Sequence, residues 1–97
     1  MSDLSAFRPV GAGQSMSVTT TSSVLALNAG SAVRICNIGP DPVRIRFSVA
    51  AGVAVTSDMA LLVGGTEVFT RPDGQTHIAA ITSTGTATLS VTTGEGL

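Results

Sequence analysis

Apolar and polar side chains alternate along much of this chain, with the two-residue period of β-strands. The clearest case is Val43–Val49, in which every second residue is apolar and Arg44 and Arg46 lie between them. Val33–Cys36 alternates in the same way, and Asn37–Pro42 between the two segments is rich in turn-forming residues. The pattern therefore predicts a hairpin with a six-residue connection.

Other strand-like segments occur at short intervals, separated by glycine-rich and asparagine-rich turns. Val, Ile and Thr dominate them, whereas the residues that usually fill helices are scarce. The predicted strands are Met16–Thr20, Ser23–Leu27, Thr66–Thr70, His77–Thr82 and Ala87–Thr92, with Met59–Val63 as a less regular eighth candidate.

Seven to eight short strands with frequent turns predict an all-β fold, built as two packed sheets or a small barrel. We favour a two-sheet, jelly-roll-like β-sandwich, because a chain with one Cys and no Trp lacks the Cys-Trp-Cys arrangement of antibody domains. Alternation assigns twelve side chains to the inner faces: Val18, Leu25, Leu27, Val33, Ile35, Val43, Ile45, Phe47, Val68, Ile78, Leu89 and Val91.

The start of the chain departs from this pattern. Residues 1–14 show little alternation and contain Phe7, Arg8 and Pro9 ahead of two glycines. They are predicted to form an extended N-terminal arm that becomes ordered when it lies on a neighbouring molecule. Phe7, Arg8 and Pro9 are therefore candidate partner-binding residues, and residues 15–97 are predicted to form a single β-sandwich domain.

The composition favours a protein that covers part of its surface with partners. Charged residues make up 11% of the 97, against about 25% in typical domains, and the mean hydropathy is +0.45. A single Cys excludes an intramolecular disulfide, so oligomerisation is the expected source of additional stability. The alternative is a neutral, threonine-rich monomer.

Several functional classes are disfavoured. A net charge of −1 and the absence of Trp and Tyr argue against nucleic-acid binding. Neither end looks like a targeting signal, and the longest apolar-rich stretch, Val49–Val55, is too short to span a bilayer. We expect a protein that stays in the cytoplasm or leaves it only when the cell lyses.

Catalytic chemistry has few candidate residues in this chain. His77 is the single histidine, Cys36 is the single cysteine, and the six acidic residues are scattered through turns and termini. Neither a catalytic triad nor a metal site has the residues it requires at a suitable spacing. We predict that the protein is not an enzyme and binds no metal or cofactor.

Three arginines form the one charged group of interest. In the predicted hairpin, Arg34, Arg44 and Arg46 project from the face opposite the apolar one. One interpretation is a solvated outer face that protects the sheet from aggregation. The other is a contact with carboxylates of a partner subunit, which Arg binds in a bidentate manner that Lys cannot match.

Several segments resemble small structural proteins from the virions of tailed bacteriophages. They are Ala6–Gly11, Ser17–Thr21, Val33–Gly39, Ile78–Thr82 and Thr88–Gly96. The resemblance implies a capsid decoration or cement protein, often trimeric, with a β-sandwich body and an N-terminal arm on the shell. It supplies no catalytic residues.

The expected function is thus to cement a bacteriophage capsid by binding the major capsid protein, or other virion proteins, and further copies of itself. The protein would be located in the virion, assembled in the host cytoplasm, without contacts to nucleic acid or membrane. A head–tail adaptor, tail or fibre-base protein is the alternative. A carbohydrate-binding β-sandwich is a second alternative, which the absence of Trp and Tyr disfavours.

Overall fold

The computed structural model describes residues 7–95, which form nine β-strands and no helix. Short polar or glycine-containing connections separate most of them, as the turn signals predict. The strands are β1 (Arg8–Pro9), β2 (Gln14–Val18), β3 (Ser23–Ala26), β4 (Ala32–Pro40), β5 (Val43–Ser48), β6 (Met59–Leu61), β7 (Thr66–Thr70), β8 (His77–Ile81) and β9 (Ala87–Glu95).

The strands assemble into two antiparallel sheets, which confirms the all-β class. In sheet A, β9 lies at the centre, with β1 and β2 along one side and β4 along the other, and β7 follows β4. Sheet B has the order β3-β8-β5-β6. The chain thus passes repeatedly from one sheet to the other.

The core lies between the two sheets and draws apolar side chains from both. Ile35 and Leu89 of sheet A and Ile45 and Ile78 of sheet B are buried in one cluster. The alternation of β5 is confirmed, because Val43, Ile45 and Phe47 all pack into or against this cluster. The members that alternation did not identify are Met16, Leu61, Phe69, Ala80 and Ala87.

Val68 was assigned to the inner face, and this assignment is wrong. In the pairing of β7 with β4, Phe69 lies opposite Val33 and Val68 lies opposite Arg34. Phe69 therefore points inward, where its ring packs edge-on against Phe47 with 5.6 Å between ring centroids. The register of β7 differs from the predicted one by a single residue, which exchanges the two faces of the strand.

The predicted hairpin between β4 and β5 is also wrong. β4 has β9 along one edge and β7 along the other, so neither edge is free for β5. The strand continues through the predicted turn as far as Pro40, which pairs with Ala87. The chain then crosses at Asp41 and Pro42 into sheet B, and the turn residues mark a passage between sheets.

Asn37 explains part of this crossing. Its side chain is completely buried, although the sequence placed it in a turn. The amide nitrogen donates to the carbonyl oxygens of Leu61 at 2.9 Å and Asp41 at 3.0 Å, and the amide oxygen accepts from Gly39 N at 2.8 Å. One buried amide therefore ties the end of β4 to the connection that enters sheet B and to the end of β6.

Candidate interaction surface

The candidate partner-binding residues nearest the N-terminus lie along sheet A. Arg8 and Pro9 form β1, which pairs with Glu95 and Gly94 of β9 in the same chain. A Cβ at Gly94 would collide with the Arg8 carbonyl and with the Phe7 ring, so glycine permits this close approach. Of the other predicted arm residues, Val10 N donates to Thr93 O at 2.9 Å and Gln14 begins β2, whereas residues 1–6 lie outside the described part of the chain.

Arg34 lies next to this segment, on the outer face of sheet A. Its Cα partner in β9 is Thr92, and both side chains line a depression of about 310 Å³ together with Phe7 and Pro9. The Arg34 guanidinium forms no ion pair or hydrogen bond within residues 7–95. Three of the predicted contact residues, Phe7, Pro9 and Arg34, thus lie together. The guanidinium of Arg34 is available to bind an external anion.

Arg44 and Arg46 lie on the other side of the molecule. They belong to β5 and project from the outer face of sheet B, whereas Arg34 projects from sheet A. The prediction that the three arginines share one face is therefore wrong, because it depended on the hairpin. β4 and β5 lie in different sheets, and their outer sides face opposite directions.

The two β5 arginines bind Asp58 of their own chain. Arg46 donates from Nε and Nη2 to the Asp58 carboxylate at 2.8 and 2.7 Å, and Arg44 donates to the Asp58 backbone oxygen at 3.2 Å. Val55 N donates to the same carboxylate at 2.8 Å. The hydrogen bond from Arg46, followed by that from Val55, lowers the pKa of Asp58 below its usual value.

These contacts hold residues 49–58, called here the covering loop, over the outer face of sheet B. Gly52 lies so close to Ser48 that a Cβ would collide with that side chain, and Ala54 N donates to Ser22 Oγ at 2.8 Å. Ser48 and Ala79 project outward from sheet B and are nevertheless buried. This outer face is therefore largely closed by the chain itself.

An apolar cluster on the sheet A side was not found by sequence reasoning. Ile38, Leu62 and Val63 are exposed by 62%, 64% and 49%. The turn that holds Leu62 and Val63 is attached to β4, because Gly64 N donates to Asn37 O at 2.8 Å. Ile38 is the extra residue where the register of β4 with β9 shifts between Asn37 and Gly39. It is exposed near the end of β4, the strand that also carries Arg34 four residues earlier.

Little in the amino-acid pattern indicates that these three side chains are exposed together. Ile38 lies within a segment that predicted a turn, and Leu62 and Val63 follow Leu61, which is buried. Apolar residues in an irregular segment have no period, so their exposure depends on where the sheets place the turn. A second exposed group, Val49, Val53 and Val55, belongs to the covering loop.

A second depression, of about 360 Å³, lies where the β7–β8 connection meets Ser31 and Glu95. Arg71 lines it, and the Arg71 guanidinium donates to the Asn28 carbonyl oxygen while its Nε has no partner. Ser31 Oγ donates to the Glu95 carboxylate at 2.6 Å. No aromatic side chain lines the depression, so it lacks the usual platform for a sugar ring.

The residues considered for catalysis stay apart. His77 begins β8, and its Nδ1 lies 2.7 Å from Thr76 Oγ1, while the free thiol of Cys36 lies on the outer side of β4. Within residues 7–95 no three potential metal-ligating side chains come together. The same residues include no helix that could cross a membrane.

Residues 7–95 form an all-β, two-sheet domain in which the outer face of sheet B is covered and that of sheet A is not. Comparisons with protein families, with characterised proteins and with solved structures find no match for this chain. Any functional assignment therefore depends on the surface itself and on the resemblance of the sequence segments.

Proposed function

We propose that this protein is a structural virion protein that decorates and stabilises a bacteriophage capsid. It binds capsid subunits through the outer face of sheet A and associates with further copies of itself. The resemblance to small virion proteins supplies the biological setting, and the open face supplies the surface. No catalytic step, metal or cofactor is part of the proposal.

The strand pairing supports the finer fold assignment, a jelly roll. β2 pairs with β9, β3 with β8, β4 with β7, and β5 with β6, so each pair is nested within the previous one. Such nesting is what results when one long antiparallel ribbon wraps around a core. Jelly rolls form viral capsid and lectin domains, although a fold alone does not assign a function.

The observation that carries the functional proposal is the exposed apolar cluster of Ile38, Leu62 and Val63 at the end of β4, the strand that also carries Arg34. Monomeric proteins rarely leave large apolar patches in water, and such patches mark interaction sites. Burial against a partner would remove these side chains from water at a gain of roughly 25 cal/mol per Å².

Arg34 adds a charged group to this contact. Its guanidinium is free of ion pairs among the described residues and adjoins Phe7 and Pro9. A carboxylate of a capsid subunit would pair with it through two parallel hydrogen bonds. We therefore keep Phe7, Arg8, Pro9 and Arg34 as proposed contacts and give Arg44 and Arg46 the role of holding the covering loop.

Cosedimentation with capsids tests the proposal. Capsids assembled from the major capsid protein of the same phage are mixed with wild-type protein or with the Ile38→Ser, Leu62→Ser double variant. Each apolar side chain that becomes buried is worth roughly 1.5–3 kcal/mol, so we expect the variant to bind at least about tenfold more weakly. The matched control is Val53→Ser, because Val53 is 60% exposed on the covering loop.

The outcomes separate the candidate functions. Wild-type protein that does not sediment with capsids contradicts the cement role. Protein that binds isolated tails and not capsids favours the adaptor, tail or fibre-base alternative. Equal losses for the double variant and for Val53→Ser would contradict the assignment of the contact to sheet A.

A further inference from the structure

β7 is an edge strand of sheet A, and the hydrogen bonds at its two ends show which of its residues direct backbone groups toward β4. Within residues 7–95 it pairs with β4 alone. Just beyond its two ends, Arg71 N donates to Ser31 O at 2.7 Å and Asn37 N donates to Gly65 O at 3.0 Å. Residues 65 and 71 thus direct backbone groups toward β4, and the two-residue alternation of an antiparallel ladder extends this to residues 67 and 69.

The intervening residues Thr66, Val68 and Thr70 consequently direct their N–H and C=O groups away from β4, toward the open edge. Natural sheets usually protect such edges with Pro, Lys or a bulge. Thr66–Thr70 contains none of these, and its register with β4 is regular throughout. Its one protective feature is the charge of Glu67, which lies opposite Ile35. Val68 is 39% exposed on this strand. The edge is a ready template for another strand.

We propose that β7 pairs with β7 of a second copy of this chain, antiparallel about a two-fold axis that passes beside Val68. Val68 then lies opposite Val68 of the second copy, and Thr66 lies opposite Thr70. Glu67, the one charged residue of the strand, lies opposite Phe69. No like charges are directly opposed, and pairs of threonines and of β-branched residues stabilise a ladder.

The ends of β7 limit the pairing to this short segment. Gly64 and Gly65 form the turn before the strand, and Pro72 beyond it has no N–H to donate. The strand matches itself when it is reversed, because Val68 pairs with Val68 and Thr66 pairs with Thr70. This favours a second copy over an unrelated peptide, since both partners of a two-fold contact use the same surface. Such pairing produces a dimer, whereas the resemblance to virion proteins implies a trimer.

This inference depends on the self-association in the proposed function and not on capsid attachment. A charge-swap experiment on the full chain tests it. In Val68→Lys or Val68→Glu homodimers, like charges would face each other across the axis, so each variant alone should dimerise at least tenfold more weakly than wild type. An equimolar mixture should recover the dimer, because Lys then faces Glu.

An interface of one short strand per chain is small, and such interfaces are weak. Dimerisation is therefore measured by sedimentation equilibrium at protein concentrations up to about 1 mM. The matched control is Val24→Lys, because Val24 is 38% exposed on β3, an edge strand of sheet B. That variant should dimerise like wild type. A monomeric wild type, a trimer insensitive to Val68→Lys, or a mixture no tighter than the single variants would overturn the inference.

Hydrogen exchange provides a test that needs no substitution. The amides of Thr66, Val68 and Thr70 should become slower to exchange as protein concentration rises, whereas those of Glu67 and Phe69 should be protected at every concentration. Concentration-independent exchange at Val68 contradicts the pairing. Because Val68 lies opposite Arg34, capsid attachment is measured on the wild-type chain: a monomeric wild type that binds capsids would overturn the pairing and leave the capsid attachment intact.

Discussion

The outer faces of the two sheets differ, although similar alternating strands produce them. On sheet B, the covering loop buries Ser48 and is held by Asp58, which Arg44 and Arg46 bind. On sheet A, Arg34 has no ion pair among residues 7–95, and Ile38, four residues further along β4, is 62% exposed. Two arginines stabilise the molecule internally, and the third remains available.

The difference follows from the connections and not from the strands. β5 leads into ten residues that fold back over its own outer side, whereas β4 passes into sheet B through Asp41 and Pro42. The sequence pattern therefore does not show whether a polar residue on the outer side of a strand is exposed to solvent. Whether it meets solvent or its own chain depends on the length and path of the loop that follows.

The largest expected effect comes from the core that both faces share. Ile35 is fully buried beneath the open face, so Ile35→Ala should lower the free energy of unfolding by about 2–5 kcal/mol. A domain of this size has about 5–15 kcal/mol in total. Urea denaturation followed by circular dichroism measures the loss, and a cost below about 1 kcal/mol would mean that the two sheets do not enclose Ile35.

Beneath the covered face, Phe47→Ala should cost about 3 kcal/mol, the low end for a phenylalanine, because the ring is only partly buried. Ser48→Ala is the matched control on the other side of the strand. Ser48 Oγ is buried without a hydrogen-bond partner, so its removal should be neutral or slightly stabilising. The reverse ranking in thermal melts would mean that the register of β5 is wrong.

The next effect is smaller and depends on pH. Arg46 and Val55 N lower the pKa of Asp58 in the folded state, so the ionised carboxylate favours folding. This contribution is fully present above the unfolded pKa of about 3.9 and is lost as pH falls through the lower, folded pKa. Asp58→Asn should therefore lose stability at neutral pH and show a weaker decline in melting temperature below about pH 4.

Asp73→Asn is a suitable control, since Asp73 lies in the β7–β8 connection away from the covering loop. Parallel pH profiles for wild type and Asp58→Asn would contradict a stabilising role for the Arg46–Asp58 pair.

The smallest effect on stability is expected at the open face. Ile38→Ser changes an exposed side chain, so the free energy of unfolding should stay within about 0.5 kcal/mol of the wild-type value. Val53→Ser on the covering loop should behave alike in the same denaturation experiment. A loss above about 1 kcal/mol for Ile38→Ser would show that the apolar cluster belongs to the core and not to an interface.

Alternation predicted the fold class and nearly all strands, because period two records which side of a strand meets the core. It could not predict which strands are neighbours. Asn37, Pro40 and Pro42 mark a change of direction equally well for a hairpin and for a passage between sheets. The shared arginine face failed for this reason, and the apolar cluster around Leu62 was missed because irregular segments carry no period.

Electron cryo-microscopy of capsids carrying the protein would show which outer face of the domain meets the shell. We expect density for the two-sheet domain on the outside of the shell, with Ile38, Leu62 and Arg34 directed at capsid subunits and the covering loop directed away. Density that places Val53 and the covering loop against the shell, or density found only in the tail, would contradict this expectation.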